Sequence, residues 1–262
     1  ESARRWSGRA ATEAQAQGND RLYVRALRTL GNMVSQIEEP SRATETFVVA
    51  ATVARRLNDS TMEARALEDL ARNQAYTGQI SEARALYDDG LAALGDRAQW
   101  LQGRLLSGLT DLARREGDMV QAATLCEEAL DCLRAAGLRQ TAAECEALRG
   151  DLARYRGDTV EAERHYREAK LLFDAKGSPI EAEIQCRIVP LLMESGRFEE
   201  AQKHMLSILA HPVTGRYGVT PYLARTALLV CAAESGTWSL WDRHVQRLEP
   251  LFSCRITDPV IA

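Results

Sequence analysis

Residues 76–91 read YTGQISEARALYDDGL, and residues 155–170 read YRGDTVEAERHYREAK. In both, an Ala follows the Gly by five positions and a Tyr follows that Ala by four. The same frame returns at 36–51 (QIEEPSRATETFVVAA), 115–130 (REGDMVQAATLCEEAL), 194–209 (ESGRFEEAQKHMLSIL) and 234–249 (ESGTWSLWDRHVQRLE). Its anchors are Glu38, Gly78, Gly117, Gly157, Gly196 and Gly236, spaced 40, 39, 40, 39 and 40. Five residues past each anchor stand Ala43, Ala83, Ala122, Ala162, Ala201 and Trp241. Nine past it stand Phe47, Tyr87, Cys126, Tyr166, Met205 and Val245, and twelve past it Ala50, Gly90, Ala129, Ala169, Ile208 and Leu248. Ala3 and Ala10 hold the same slots one period earlier, so the chain opens inside a half-repeat.

Offsets of five, nine and twelve share one face of a helix. The small residue lets a neighbouring backbone approach, and the bulky one fills the gap between helices. A second helix precedes each anchor: Leu30-Gly31, Leu70-Ala71, Leu109-Thr110, Arg149-Gly150, Ile188-Val189 and Leu228-Leu229 lie seven or eight residues before it. The anchor Gly is the turn between paired helices, where a left-handed backbone is easily reached. Ser178-Pro179 and Thr220-Pro221 each place a capping hydroxyl before an N1 proline. The expected fold is all-α, with antiparallel helix pairs stacked as a solenoid of about twelve or thirteen helices and no strand. Its units are a partial repeat over 1–19, repeats near 20–58, 59–97, 98–137, 138–177, 178–216 and 217–255, and a tail over 256–262. Such a repeat buries its apolar face only against its neighbours, so 1–262 is expected to form one array.

Composition agrees. Ala, Leu, Arg and Glu dominate the 262 residues, Pro numbers seven, and aromatics make up 6 %; these residues favour helix. A formal net charge of −4 supplies no global footprint for nucleic acid or an anionic membrane. No apolar run approaches the ~18 residues needed to cross a bilayer, and ESARRWSGRA at the start has no signal-peptide core. Six Cys without a CxxC pair point to a reduced, cytoplasmic setting. The Asn58-Asp59-Ser60 sequon is a chance match in that setting.

The frame resembles the tetratricopeptide repeat, with its small residue, glycine, small residue and aromatic at these offsets. The resemblance covers almost the whole chain. The period departs from the usual ~34 residues, and units of 39 to 40 look more like solenoids of large bacterial signalling proteins such as the maltose-regulon activators. The resemblance implies a right-handed superhelix in which the first helix of each pair lines a concave groove. Groove-facing slots lie thirteen, ten, six, three and two residues before the anchor. They give Arg25, Arg28, Asn32, Ser35 and Gln36; then Arg65, Glu68, Arg72, Ala75 and Tyr76; then Arg104, Ser107, Asp111, Arg114 and Arg115; then Glu144, Ala147, Asp151, Arg154 and Tyr155. Later slots turn apolar or acidic (Cys186, Met193, Glu194, Leu223, Val230).

The binding candidates are Arg25, Arg28, Asn32, Arg65, Arg72, Tyr76, Arg104, Asp111, Arg114, Arg115, Asp151, Arg154 and Tyr155. Arginine forks suit carboxylates and phosphates, so the partner implied is a protein or peptide segment of acidic character. The opposing reading of any one arginine is an ion pair on a solvated helix face. Arg28, Asn32 and Arg65 partly match the family's clamp for a terminal carboxylate, but Asp69 stands where a second Asn belongs and would repel that ligand.

His165, His204 and His244 share one slot in consecutive repeats. Packed helices run ~8–10 Å apart, so three imidazoles in that register do not meet on one zinc. No metal and no cofactor are expected. GxxxxGK[ST], GxGxxG after a strand, HExxH and GxSxG are all missing, so the segment is read as non-catalytic. Pro190 interrupts a groove helix and is expected to kink it, and HPVTGRYGVTPY (211–222) is the longest loop-like stretch. The overall expectation is an interaction scaffold excised from a longer protein, such as the sensor part of a bacterial ATPase-type transcriptional regulator. The alternatives are a docking region of a Ser/Thr protein kinase or nucleotide cyclase, and a self-assembling scaffold, a homo-oligomer through Trp238 and Trp241.

Overall fold

The structure is a computed structural model; it describes residues 2–37, 40–95, 97–172, 179–210 and 220–253. These form thirteen α-helices and no strand. The helices are α1 (Ser2–Ala16), α2 (Asp20–Ile37), α3 (Pro40–Arg56), α4 (Ser60–Tyr76), α5 (Ile80–Leu94), α6 (Gln99–Glu116), α7 (Met119–Ala135), α8 (Arg139–Tyr155), α9 (Thr159–Leu172), α10 (Pro179–Glu194), α11 (Phe198–Ala210), α12 (Thr220–Glu234) and α13 (Trp238–Ser253). Their starts are written in short acidic or amide side chains. Asn19, Asp59, Asp118 and Asp158 each accept the backbone N–H three residues on, from Leu22, Met62, Gln121 and Glu161. Each such cap satisfies an orphan donor, worth about 1 kcal/mol.

The turns confirm the role assigned to the anchor glycines. Gly78, Gly117, Gly157, Gly196 and Gly236 all have φ between 66° and 85°, a region where a Cβ would crowd the following carbonyl. Glu38, the anchor without glycine, lies outside the described residues. Between α3 and α4 the turn uses Asn58 at φ 51°, one of the few side chains that tolerate this conformation.

The chain divides into two compact units, Glu1–Leu148 and Arg149–Ala262, with the boundary inside α8. In the first unit consecutive helices from α1 to α7 pack against one another, and α2 also touches α4, as α4 does α6. The first helices of successive pairs therefore stand side by side. In the second unit α9 through α13 pack in sequence, and α10 touches α12.

The repeated slots form the core of both units. Ala43, Ala83, Ala122, Ala162 and Ala201 are all 0 % exposed, and Phe47, Tyr87, Cys126, Tyr166 and Met205 at most 5 %. Each aromatic ring fits against a glycine on a facing helix. A Cβ at Gly31 would lie 2.6 Å from Phe47 Cε1, one at Gly108 2.3 Å from Tyr87 Cζ, and one at Gly150 2.5 Å from Tyr166 Cε1. Real Cβ contacts do not come that close, so ring and glycine are a size-matched pair.

Later irregularities resolve partly. α10 continues as one helix through Pro190. Of the 211–222 stretch, 211–219 lie outside the described residues, and α12 begins at Thr220. Ser178 is also outside them. Trp238 and Trp241 meet edge to face with centroids 6.2 Å apart, and Trp238 is 60 % exposed. Five cysteines (126, 132, 145, 186 and 231) carry thiols rather than disulfides; Cys254 is outside the described residues. No helix among the described residues is long and apolar enough to cross a membrane.

Candidate functional site

The face made by α2, α4 and α6 carries most of the sequence-predicted binding residues. On α4 the stripe Arg65, Glu68, Arg72 and Tyr76 follows helical spacing along that face. Its centre is closed by ion pairs that staple one repeat to the next. Arg28 Nε of α2 donates to Asp69 Oδ2 at 2.6 Å, and Arg72 Nη2 donates to Asp69 Oδ1 at 2.6 Å and to Asn32 Oδ1 at 3.1 Å. Arg104 of α6 donates from Nε and Nη2 to Glu68 Oε1 at 2.9 and 2.6 Å. Glu68 and Asp69 are neighbours in sequence, yet one reaches forward to α6 and the other back to α2. Both are buried, so these charges are held by partners rather than by water.

The same ladder continues toward the C-terminal ends of these helices. Ser35 donates to Asn73 Oδ1 at 2.8 Å, and Asn73 Nδ2 donates to Pro40 O and Thr44 Oγ1, both at 2.9 Å. Arg115 donates to Ala75 O at 3.0 Å and pairs with Asp111 at 2.7 Å; Arg114 also pairs with Asp111, at 2.6 Å. Tyr76 is left 73 % exposed at this end.

The N-terminal end differs. Arg25 has no ion-pair or side-chain hydrogen-bond partner among the described residues, and Arg65 touches no carboxylate there. Arg65 stacks on Trp100 of α6, its Cζ 5.3 Å from the ring centroid. Burial first, then the neighbouring Arg28 and Arg104, push the Arg65 guanidinium below its ordinary value, against the pull of Asp69 and Glu68. A cavity of about 320 Å³ opens here, lined by Arg21, Arg25, Arg28, Asp59, Met62 and Arg65 among others.

Asp151, Arg154 and Tyr155 lie in the second unit. Asp151 accepts the Tyr166 hydroxyl at 2.7 Å and is paired with Arg187. Arg154 faces Glu194 at 4.0 Å, and Tyr155 is 70 % exposed. Asp151 is thus a packing partner of the core tyrosine. The sequence reading marked Asp69 as a repulsive charge; the structure surrounds it with Arg28 and Arg72 instead. It did not single out Trp100 or Met62, whose only signal was an apolar residue near a first-helix start.

The shared histidine slot serves separate local roles. His165 is buried beside Glu161 (3.2 Å) and Glu168 (3.8 Å), and His244 is buried in α13. Burial, then Lys170, hold the His204 imidazole below its ordinary 6.5, Arg197 adding to this and Glu200 opposing it. The unfolded chain binds that proton near 6.5 and the folded chain only at lower pH, so stability should fall as pH drops from about 6.5 through the folded midpoint. An NMR titration of His204 Cε1–H should give a midpoint below 6.5, and His204→Gln should flatten that limb of the stability curve.

Paired helices throughout the described residues, with left-handed glycine turns, a small-and-bulky core frame and first helices side by side, define a helical-repeat fold. The particular fold is that of the tetratricopeptide-repeat proteins. The chain is similar to BtubC (BKLC) from P. vanneervenii, at 20 % identity over 84 % of this chain and 95 % of that one, with a TM-score of 0.69. It is also similar to TTC0263, a thermophilic TPR protein of Thermus thermophilus, at 19 % identity over 79 % and 99 % (TM-score 0.59). A third likeness is to a Rap protein complexed with Competence and Sporulation Factor, at 13 % identity over 87 % and 64 % (TM-score 0.69). No protein-family model and no curated protein sequence matches the chain.

Proposed function

We propose that this chain is a non-catalytic interaction scaffold whose α2–α4–α6 face takes an extended, acidic segment of another protein. The observation that carries the reading is the asymmetry of that face. In its middle Arg28, Arg72 and Arg104 are engaged by Glu68 and Asp69, while one end keeps unpaired arginine and the other an exposed Tyr76. A peptide lying along it would meet positive charge at one end and a flat aromatic contact at the other. The likeness to a helical-repeat protein captured with a bound factor supports this use of the fold. The wider setting we favour is the cytoplasmic sensor or regulatory part of a bacterial signalling protein of the ATPase-regulator kind. Docking for a kinase or cyclase is the alternative.

The test is selection of a random dodecapeptide library on the immobilised protein, followed by fluorescence anisotropy of the enriched peptides. Enriched sequences should lose affinity in Tyr76→Asp. Affinity should also fall several-fold between roughly 0.05 and 0.3 M salt, the range over which the screening length drops below ~8 Å. A library without enrichment, or enriched peptides indifferent to Tyr76→Asp, would remove the reading.

A further inference from the structure

We infer that the cavity between the N-terminal halves of α2 and α4 is an anchor for a carboxylate side chain, gripped by Arg25 and Arg65. The inference rests on the proposed peptide-binding face and specifies what that face selects. The other arginines of the cavity wall and of the adjoining α4–α6 face have carboxylate partners: Arg28 and Arg72 meet Asp69, Arg104 meets Glu68, and Arg21 meets Asp59 at 3.2 Å. Asp59, the one carboxylate in the cavity wall, does not neutralise the pair. Its Oδ1 caps α4 through the Met62 N–H, and its Oδ2 takes Arg21. Two guanidinium groups therefore line one cavity with no anion of their own.

Arg65 is the better organised of the two. Its guanidinium carbon lies 5.3 Å over the Trp100 ring, a contact that restricts the side chain, and a guanidinium fork can give a two-point bond to a carboxylate. It is also half-buried beside Arg28 and Arg104, so an arriving anion relieves like-charge crowding that water screens incompletely. Trp100 is a positioning residue in this scheme. Met62 offers an apolar wall for the residue next to the carboxylate. Asp59, a carboxylate in the cavity wall, would repel the second charge of a phosphate dianion, so the occupant is taken to be a monoanion. The predicted recognition element is thus a Glu or Asp beside an aliphatic residue within a chain, not a chain end.

The probe is a fluorescein-labelled hexapeptide, Leu-Glu-Glu-Leu-Glu-Glu, capped at both ends, compared with its all-Gln counterpart by anisotropy on the full chain. The Glu peptide should bind about tenfold or more tightly than the Gln peptide, and Arg25→Gln/Arg65→Gln should erase that difference while leaving the circular dichroism spectrum unchanged. Arg65→Lys should recover only part of it, because a point charge does not reproduce the fork. In Arg-selective NMR spectra the Arg65 Nε–H and the Trp100 indole should shift with the Glu peptide alone. Equal affinity for both peptides, or a Glu peptide indifferent to the double variant, overturns the inference. So does inorganic phosphate displacing the peptide at lower concentration than acetate, which would make the site a phosphate site. Library peptides that respond to Tyr76→Asp but not to the double variant would leave the binding face standing and remove this anchor alone.

Discussion

Gly31→Ala is expected to destabilise the chain by about 1–3 kcal/mol when Phe47 is present and to stabilise it by up to about 1 kcal/mol when Phe47 is Ala. The sign change follows from two opposed effects of one methyl group. In a helix interior the methyl removes the backbone freedom that glycine loses on folding, which favours Ala. Opposite Phe47 it would sit 2.6 Å from Cε1 and 2.8 Å from Cζ of a ring that is 1 % exposed and packed by Val34, Ala43 and Leu70. The ring has no room to retreat, so the steric effect wins. Phe47→Ala alone should cost about 3–5 kcal/mol, as expected for a fully buried ring. The measurements are urea unfolding of the full chain and hydrogen exchange of the α2 and α3 amides. Exchange matters because an array of repeats opens locally, and the loss should centre on these two helices. A Gly31→Ala that stabilises in both backgrounds would show that ring and glycine are not a matched pair.

The slots of Gly31 and Phe47 were legible before any coordinates, because both recur, whereas their pairing emerges only from the packing. A period of 39 to 40 residues forces the same side chains onto the same face, and burial then fixes which must be small. The groove slots were legible as positions but not as chemistry. Arg28 meets Asp69 forty-one residues on, and Arg104 meets Glu68 thirty-six residues back. Such offsets only approximate the period, and a long guanidinium can swing to an acid on either neighbouring helix. Sequence spacing therefore placed Arg25, Arg28, Arg65, Arg72 and Arg104 on one face without telling which were neutralised. The adjacent acids Glu68 and Asp69, reaching in opposite directions, made that division. Trp100 escaped notice for a related reason: its partner Arg65 stands thirty-five residues away, off the repeat frame.

Asp69→Ala should separate the structural from the binding use of this face, by lowering stability while raising affinity for acidic peptides. Asp69 is the acceptor for both Arg28 and Arg72, and its side chain is 1 % exposed. Its removal leaves Arg28, with a side chain only 12 % exposed, as a nearly buried charge without a counter-ion. Breaking a buried pair from one side costs about 3–5 kcal/mol. The low end, about 3 kcal/mol, is expected because the half-exposed Arg72 can turn to water. Arg72→Gln removes the exposed arm alone and should cost no more than about 1 kcal/mol. Replacing both members of the inner pair, in Arg28→Met/Asp69→Leu, should recover most of the loss, since no orphan charge remains. The binding consequence runs the other way. Arg28 lines the same cavity as Arg25 and Arg65, so freeing it adds a third unmatched guanidinium, and the Glu hexapeptide should bind several-fold tighter at low salt with the gain fading at high salt. Chemical unfolding and anisotropy on the same preparations read both effects. If Asp69→Ala weakened the Glu peptide while the protein stayed folded, Asp69 would be holding Arg28 in its binding geometry rather than neutralising it, and the charge balance assigned to this face would be wrong.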